Sequence, residues 1–285
     1  MGVTKYISNL PSLKGKTIIV TGGTSGIGYA YSEHAIFLGA KLVLLSFTFL
    51  EGQEAKNKLL EKYPDGDISI IEYNQANYES ITNACNLIKK QYPDFDILVA
   101  NAGVLARRDY GLAFGYPYTI GVNFFGAKLL IENLASINDL PHRFIIQGSF
   151  AAADKINTSI DLKDKNIAFF KQYNISKVLV ESLFYEYTLS NPYPHLEFIL
   201  TEPGLSSTNI ISSFPKFIRV ISKWGLKLIT HSPQKASLTL LLASTEKAKH
   251  GDYIIPRGLF SLSGYPKIKK LPKKRYQKEI LDKAK

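Results

Sequence analysis

In the stretch QYNISKVLVES, Gln172 to Ser182, a tyrosine and a lysine stand four residues apart, Tyr173 and Lys177. On a helix that spacing puts both on one face. A phenol with its ordinary pKa near ~10 is a poor acid or base at neutral pH. An ammonium ~4 Å away, at an effective dielectric of ~20, favours the phenolate by about 4 kcal/mol, or roughly three pKa units. Such a pair is a candidate for proton transfer. The pattern alone carries little weight. The chain has 17 tyrosines and about one residue in ten is lysine, so chance supplies roughly one or two matches. There are two. The other is Tyr265/Lys269, with Pro266 inside it, in a basic C-terminal stretch expected to be mobile. What matters is whether the chain supplies the rest of a site.

The elements that must position such a pair follow from periodicity. Short β-branched runs, TIIVT (17–21), KLVLLS (41–46), ISIIE (68–72), DILVA (96–100), RFIIQGS (143–149), LEFILT (196–201) and YIIP (253–256), read as strands. Between them lie segments with apolar residues at helical spacing, including 27–38, 78–91, 120–136, 174–189 and 234–245. Continuously apolar strands separated by helices predict one doubly wound α/β domain, a parallel sheet of about seven strands covered on both faces. The expected domain spans 1–265, with 266–285 as a basic tail. In such sheets ligands bind beyond the carboxyl ends of the strands.

Composition limits the functional classes. With 285 residues, 45% of them hydrophobic, the chain can bury a large core. Cys85 is its only cysteine, which argues against a disulfide framework or a thiolate metal cluster. His34, His142, His195, His231 and His250 are scattered, none at ligand spacing, and no metal site is expected. No signal peptide or apolar run of spanning length is evident, so the expected compartment is the cytoplasm. Tyr6 stands where a myristoylation signal needs Ser or Thr. The net charge is +11, and +7 of it lies in Lys267–Lys285, with nine Lys/Arg against two Asp/Glu. The expectation is a solvated tail ending in a short helix; the sharper alternative is weak contact with an acidic membrane surface or RNA. No nucleic-acid partner is expected.

The strand ends carry unusual residues. After the first strand comes TGGTSGIG, Thr21–Gly28, with Gly22, Gly26 and Gly28 opening a helix. Glycines there let the backbone approach a pyrophosphate, and the helix N-terminus favours its charge. The spacing is Gly-x-x-x-Gly-x-Gly. After the fourth strand comes ANAG, 100–103. With these two motifs the chain resembles the short-chain dehydrogenase/reductase family of classical type, over nearly all residues up to about 260. GVNFFG with Asn123, IIQGSF with Ser149, YNISK with Tyr173 and Lys177, and TEPGLSSTNI with Pro203, Gly204, Leu205 and Thr208 follow in the family's order. The segment between Ser149 and Tyr173, including Asp161 and Leu162, is similar to the retinol-dehydrogenase-like and fungal aldehyde-reductase-like branches.

The resemblance implies a Rossmann-type fold, an NAD or NADP cofactor and hydride transfer between an alcohol and an aldehyde or ketone. It assigns the diphosphate to Gly22, Thr24, Ser25, Gly26, Ile27 and Gly28, cofactor support to Asn101, Ala102 and Gly103, and the carboxamide to Pro203, Gly204, Leu205 and Thr208. Tyr173 becomes the acid/base, Lys177 its modulator and a ribose ligand, Ser149 the substrate-oxygen donor and Asn123 support for a proton-relay water. The end of the second strand, Ser46, Phe47 and Thr48, is neither acidic nor basic. The missing carboxylate leans to NADP, with Ser46 and Thr48 as phosphate donors. Asn74, with Gln75 beside it, stands where relatives carry an adenine-binding Asp.

A substrate lid is expected over about 205–232, where Phe214, Phe217, Ile218, Ile221, Trp224, Leu228 and Ile229 recur at helical spacing among basic residues. It packs on the core or rests on a membrane surface. The expected partner is a small, apolar carbonyl or alcohol substrate, and a homo-oligomer is open. The alternative is a cofactor-binding regulatory or scaffold protein without turnover; a surface adaptor working through the tail is a third reading.

Overall fold

The structure is a computed structural model, and it describes residues 2–105, 110–205, 231–258 and 261–285. The expected lid lies outside the described residues except at its two ends, as do Thr208 and the lid's apolar positions.

Strands β1 (Thr17–Thr21), β2 (Lys41–Ser46), β3 (Ile68–Glu72), β4 (Ile97–Ala100), β7 (Arg143–Gln147), β8 (Glu197–Thr201), β9 (Asp252–Pro256) and β10 (Pro266–Lys270) form one eight-stranded sheet in the order β10-β9-β8-β7-β4-β1-β2-β3. Strands β5 (Leu112–Ala113) and β6 (Tyr116–Pro117) make a separate two-residue hairpin. All ladders of the large sheet are parallel except β9–β10. The seven expected strands are thus the parallel part.

Helices cover both faces, which is why the strands are apolar throughout. Helices α1 (Val3–Ile7) and α2 (Gly26–Phe37) share one core with the later α8 (Pro233–Ala236) and α9 (Leu238–Ala243). The other face buries α4 (Tyr78–Gln91), α6 (Ala127–Ala135) and the long α7 (Phe169–Ser190). Helix α3 (Phe49–Lys62) follows β2 and is capped by Thr48, whose side chain accepts from the Glu51 amide. Asn77 caps α4 in the same way. A short α5 (Tyr118–Ile120) runs through a π-helical turn, Gly121–Gly126, into α6. Strand order reverses between β1 and β4, so the crevice lies beyond the ends of those two strands.

The expected solvated tail is instead part of the domain. Strand β10 pairs with β9 from Pro266↔Pro256 to Lys270↔Asp252. Helix α10 (Lys278–Asp282) docks on α7, and Leu271, Ile280, Leu281 and Ala284 are buried. Tyr276 stacks on Tyr185 with ring centroids 5.1 Å apart. Charge density hid this pattern: most of the lysines are exposed, while Pro266, Leu271, Ile280, Leu281 and Ala284 between and after them are buried. The second Tyr-x-x-x-Lys match dissolves for the same reason. Four residues along a strand span ~13 Å, against one helical turn in the first match. Tyr265 stacks on Tyr6 at 5.0 Å, while Lys269 sits on the edge strand opposite Tyr253.

Among the described residues no helix is long and apolar enough to cross a membrane. Deleting residues 266–285 is expected to remove the cooperative thermal transition seen by circular dichroism. Leu271, Ile280 and Leu281 each contribute roughly 1.5–3 kcal/mol by burial, a large share of a marginal total. An unchanged midpoint in the truncated protein would restore the picture of an independent tail.

Candidate active site

The site is built where three chain segments meet beyond the ends of β1, β4 and β7. Thr21, the last residue of β1, is buried, and its hydroxyl accepts from the amides of Asn101 (3.0 Å) and Ala102 (2.9 Å). Asn101 returns the contact through its side-chain amide, which donates to Thr21 O at 3.0 Å. Gln147, the last residue of β7, donates from Nε2 to Asn101 Oδ1 at 2.8 Å. The three strand ends are therefore one hydrogen-bonded frame.

The glycine loop folds tightly over that frame. Gly22 has φ +64, a left-handed conformation that strains any side-chain-bearing residue. A Cβ on Gly28 would lie 2.1 Å from Gly22 O, so only glycine closes the loop onto α2. Ser25 is the N-cap of α2 but makes no side-chain capping bond, which leaves the first helical amides for another acceptor. A cleft of about 400 Å³ opens beside the loop and is lined by Gly22, Thr24, Ser25, Gly26, Ile27 and Gly28, by Phe47 and Glu51, by Asn74 and Gln75, and by Asn101–Val104 and Gln147. Gln147 Oε1 is buried there without a hydrogen-bond partner among the described residues. An orphaned acceptor, uncapped amides and a loop closed only by glycine form a donor and acceptor set that fits a dinucleotide.

Several expected contacts fall elsewhere. Ser46 is buried and its hydroxyl donates to Thr48 O at 2.8 Å, so it does not offer a phosphate donor. Thr48 Oγ1 serves as the cap of α3. Phe47 is 59% exposed at the cleft edge. Asn74 lines the cleft, but its side-chain oxygen already accepts from the Ala76 amide at 2.9 Å. Gln75 turns inward: its amide donates to Val122 O at 2.9 Å and Ala102 O at 3.3 Å, which makes it a structural tie between the β3 and β4 loops. Pro203, Gly204 and Leu205 follow β8 but are not part of the cleft lining. Gly204 has φ +73, Leu205 N donates to Leu262 O at 2.8 Å, and Pro203 O is held by His231 Nε2 at 2.6 Å.

The tyrosine and lysine lie beyond the inner end of the cleft. Both stand on α7, one turn apart. Tyr173 Oη donates to Ser149 Oγ at 3.3 Å, and Ser149 is the N-cap of the turn Phe150–Ala153 just past β7. Lys177 is buried, donates from Nζ to Gln147 O at 3.0 Å, and lies 5.9 Å from the Tyr173 ring centroid.

Electrostatics here differ from the expectation. Burial raises the Tyr173 phenol, the Ser149 hydrogen bond partly offsets this, and the Glu202 carboxylate raises it further. Burial pushes Lys177 down to about 8, against the opposing pull of Glu181 and Glu202. The net direction for Tyr173 is upward because burial outweighs the Ser149 hydrogen bond, and the Lys177 ammonium is directed to a backbone carbonyl.

Asn123 sits in the π-helical turn, a feature that often marks functional positions. Its Oδ1 accepts from Val104 N at 2.7 Å, and its Nδ2 donates to Val104 O at 2.8 Å and Ser176 Oγ at 3.1 Å. It clamps the Asn101–Val104 loop to α7 and makes no direct bond to Lys177. A cavity of about 10 Å³ lined by Asn123, Lys128, Gln147 and Lys177 lies between them, close to the smallest space that takes one water.

Sequence reasoning missed Gln147, Glu181, Glu202 and Arg275. A glutamine ending an apolar strand, and a glutamate one turn beyond Lys177 on the face of Tyr173, were the available signals. Arg275 gave none, being one cation among many.

A model of the short chain dehydrogenase family matches residues 16–216. A short chain dehydrogenase of Arthrobotrys oligospora is 24% identical over 267 residues, covering 84% of this chain and 82% of the relative. The polyprenol dehydrogenase of Danio rerio is 24% identical over 255 residues, covering 86% and 78%. Retinol dehydrogenase 14 of Mus musculus is 26% identical over 149 residues, covering 48% and 45%. Among solved structures, levodione reductase superposes with a TM-score of 0.67 at 16% identity, covering 82% of this chain and 92% of that one, which speaks to the fold.

The loop geometry gives a test. Gly28→Ala is expected to weaken NAD(H) or NADP(H) binding at least ~10-fold by calorimetry, because the added methyl displaces Gly22 O from the helix N-terminus. Unchanged affinity for both dinucleotides would remove this loop from the binding site.

Proposed function

The chain belongs to the short-chain dehydrogenase family, and from this we propose that it is an NAD(P)-dependent oxidoreductase interconverting an alcohol and an aldehyde or ketone. The observation that carries the reading is the Tyr173–Ser149 hydroxyl pair, 3.3 Å apart and backed by buried Lys177, which is bonded to Gln147 of the glycine-loop cleft. Two hydroxyls at that separation can address one substrate oxygen. In reduction Tyr173 Oη gives its proton to the carbonyl oxygen, and Ser149 Oγ donates a hydrogen bond as negative charge develops there. In oxidation Tyr173 takes the alcohol proton. The dinucleotide, when bound in the cleft, supplies or accepts the hydride.

Lys177 keeps a positive charge beside the phenol and is well placed to restore its proton. With its pKa near 8 it both holds and releases a proton near neutral pH. The cavity between Lys177, Asn123 and Lys128 has room for about one water beside the ammonium.

The cofactor reading turns from NADP to NAD. Among the described residues Glu51 is the only charged one lining the cleft, and no lysine or arginine joins it there. Glu72 accepts from the Phe49 amide at the start of α3, which follows Phe47 of the cleft. A phosphate dianion beside the Glu51 carboxylate is repelled, while a ribose hydroxyl can donate to it.

Three measurements test these assignments. Steady-state assays with aldehydes and ketones of increasing chain length, run with both reduced cofactors, are expected to show turnover. Dinucleotide binding without turnover on any of them would favour the non-catalytic reading. Tyr173→Phe is expected to lower kcat by roughly 10²–10⁴-fold while sparing cofactor affinity; retained activity would remove Tyr173 as the acid/base. The KM for NADPH is expected to exceed that for NADH by about tenfold or more, and Glu51→Arg to narrow the gap. A lower KM for NADPH in the unaltered protein would reverse the preference.

A further inference from the structure

We propose that Arg275, supplied by the C-terminal segment, is a positioning residue of the active site. Together with Glu181 and Glu202 it holds Ser149 from behind and sets the charge around Tyr173 and Lys177. The inference rests on the acid/base reading above and extends it to a part of the chain outside the residues matched by the family model.

The geometry is specific. Arg275 Nε donates to Glu181 Oε2 at 2.9 Å and Nη2 to Glu181 Oε1 at 2.7 Å, a two-point contact. The same Nη2 donates to Glu202 Oε1 at 2.6 Å and reaches Ser149 O at 3.4 Å. Glu181 and Glu202 are 0% and 1% exposed, and Arg275 is 12% exposed. Glu181 continues the α7 face of Tyr173 and Lys177 by one more turn. Glu202 follows β8 directly. A Cβ on Gly148 would come within 3.0 Å of Glu181 Oε1, so the carboxylate lies against the backbone just before Ser149. Arg275 thus joins the helix of the proton-transfer pair to the loops after β7 and β8.

Arg275 is the cation that touches both carboxyl groups, and Lys177 is stabilised by the same two groups from the other side. Burial and the neighbouring Glu202 raise Glu181 above the usual carboxylate range, and Arg275 opposes that rise. From β9, Tyr253 is hydrogen-bonded to Glu202 and stays protonated, its phenol raised by burial. Asp154, after the Ser149 turn, accepts from Asn174 at the surface. Lys128, from α6, lines the same small cavity as Lys177 and is paired with Glu132 at 3.0 Å. Glu181 and Glu202 both stabilise the Lys177 ammonium, and Glu202 also disfavours the Tyr173 phenolate. The guanidinium offsets both effects.

Two substitutions of opposite sign separate this role from simple packing. The Lys177 titration is followed by carbon-13 NMR of lysine-labelled full-length protein and assigned by its loss in Lys177→Met. Arg275→Met is expected to move it up by roughly one pH unit, and Glu202→Gln to move it down by a similar amount. Arg275→Lys, which keeps the charge, should leave it near the native position. The rising limb of kcat/KM against pH for alcohol oxidation is expected to shift in the same directions. Should Arg275→Met not fold, the near-isosteric Glu202→Gln decides alone: a downward shift supports the proposal and an unmoved titration overturns it. Titrations unmoved in both variants, even with activity reduced, would leave Arg275 a packing residue. The NMR readout needs no turnover, so loss of the acid/base reading, seen as activity surviving in Tyr173→Phe, is a separate result.

Discussion

Lys177 is an ammonium buried at the end of a parallel sheet, and much of the surrounding architecture follows from keeping it there. Taking an ion of this kind out of water costs several kcal/mol unless partners repay it. Gln147 O is the nearest partner, at 3.0 Å, and Glu181 and Glu202 supply the opposing charge. Two buried carboxylates need compensation in turn, and Arg275 supplies it with three charge-assisted bonds. Removing a single member of such a group costs about 3–5 kcal/mol, because the remaining charges stay buried. The terminal strand and helix that carry Arg275 are therefore part of the electrostatic balance of the site as well as of its core.

The cofactor cleft is tied to the same place by backbone geometry. Gln147 is the common member: its carbonyl holds Lys177, its amide holds Asn101, and its remaining oxygen is buried without a partner among the described residues. Asn101 and Thr21 extend the frame to the glycine loop. On the other side Asn123 locks Val104 to the π-helical turn and to α7. A displacement of α7 would pull on the β7 end, the Asn101–Val104 loop and the loop after β8 at once. A shared frame of this kind keeps Tyr173 and Ser149 in register with a ligand held by Gly22–Gly28, whose contacts lie on a different strand end.

The parallel strands were legible because burial on both faces demands runs of Val, Ile and Leu, and TIIVT or RFIIQ can do little else. The glycine loop was legible because its backbone excludes side chains at Gly22 and Gly28. Tyr173 and Lys177 gained meaning only from order and spacing relative to those motifs. What stayed hidden depends on pairing between distant segments. Neither the composition of 266–285 nor its periodicity says that Pro266–Lys270 finds β9, or that one of nine basic residues turns inward. The direction of the Tyr173 shift was equally beyond spacing. It is set by desolvation and by Glu202, which lies 29 positions away in the chain.

The basic C-terminal segment also shows how one composition serves two surfaces. Strand β10 is the edge of the sheet, where unpaired amides and carbonyls invite pairing with another chain. Its lysines Lys269 and Lys270 are exposed, and Lys273 and Lys274 follow on the next turn. Charge on an edge strand opposes a second strand by repulsion, and Lys270 additionally pairs with Asp252 at 2.8 Å to fix the register with β9. The inward side of the same segment offers Leu271, Ile280 and Leu281 to the core and Arg275 to the carboxylates. A high local charge that reads as solvation along the sequence therefore divides in three dimensions. Most of it guards an edge, and one guanidinium is drawn inward by two buried carboxyl groups whose other cationic neighbour, among the described residues, is Lys177.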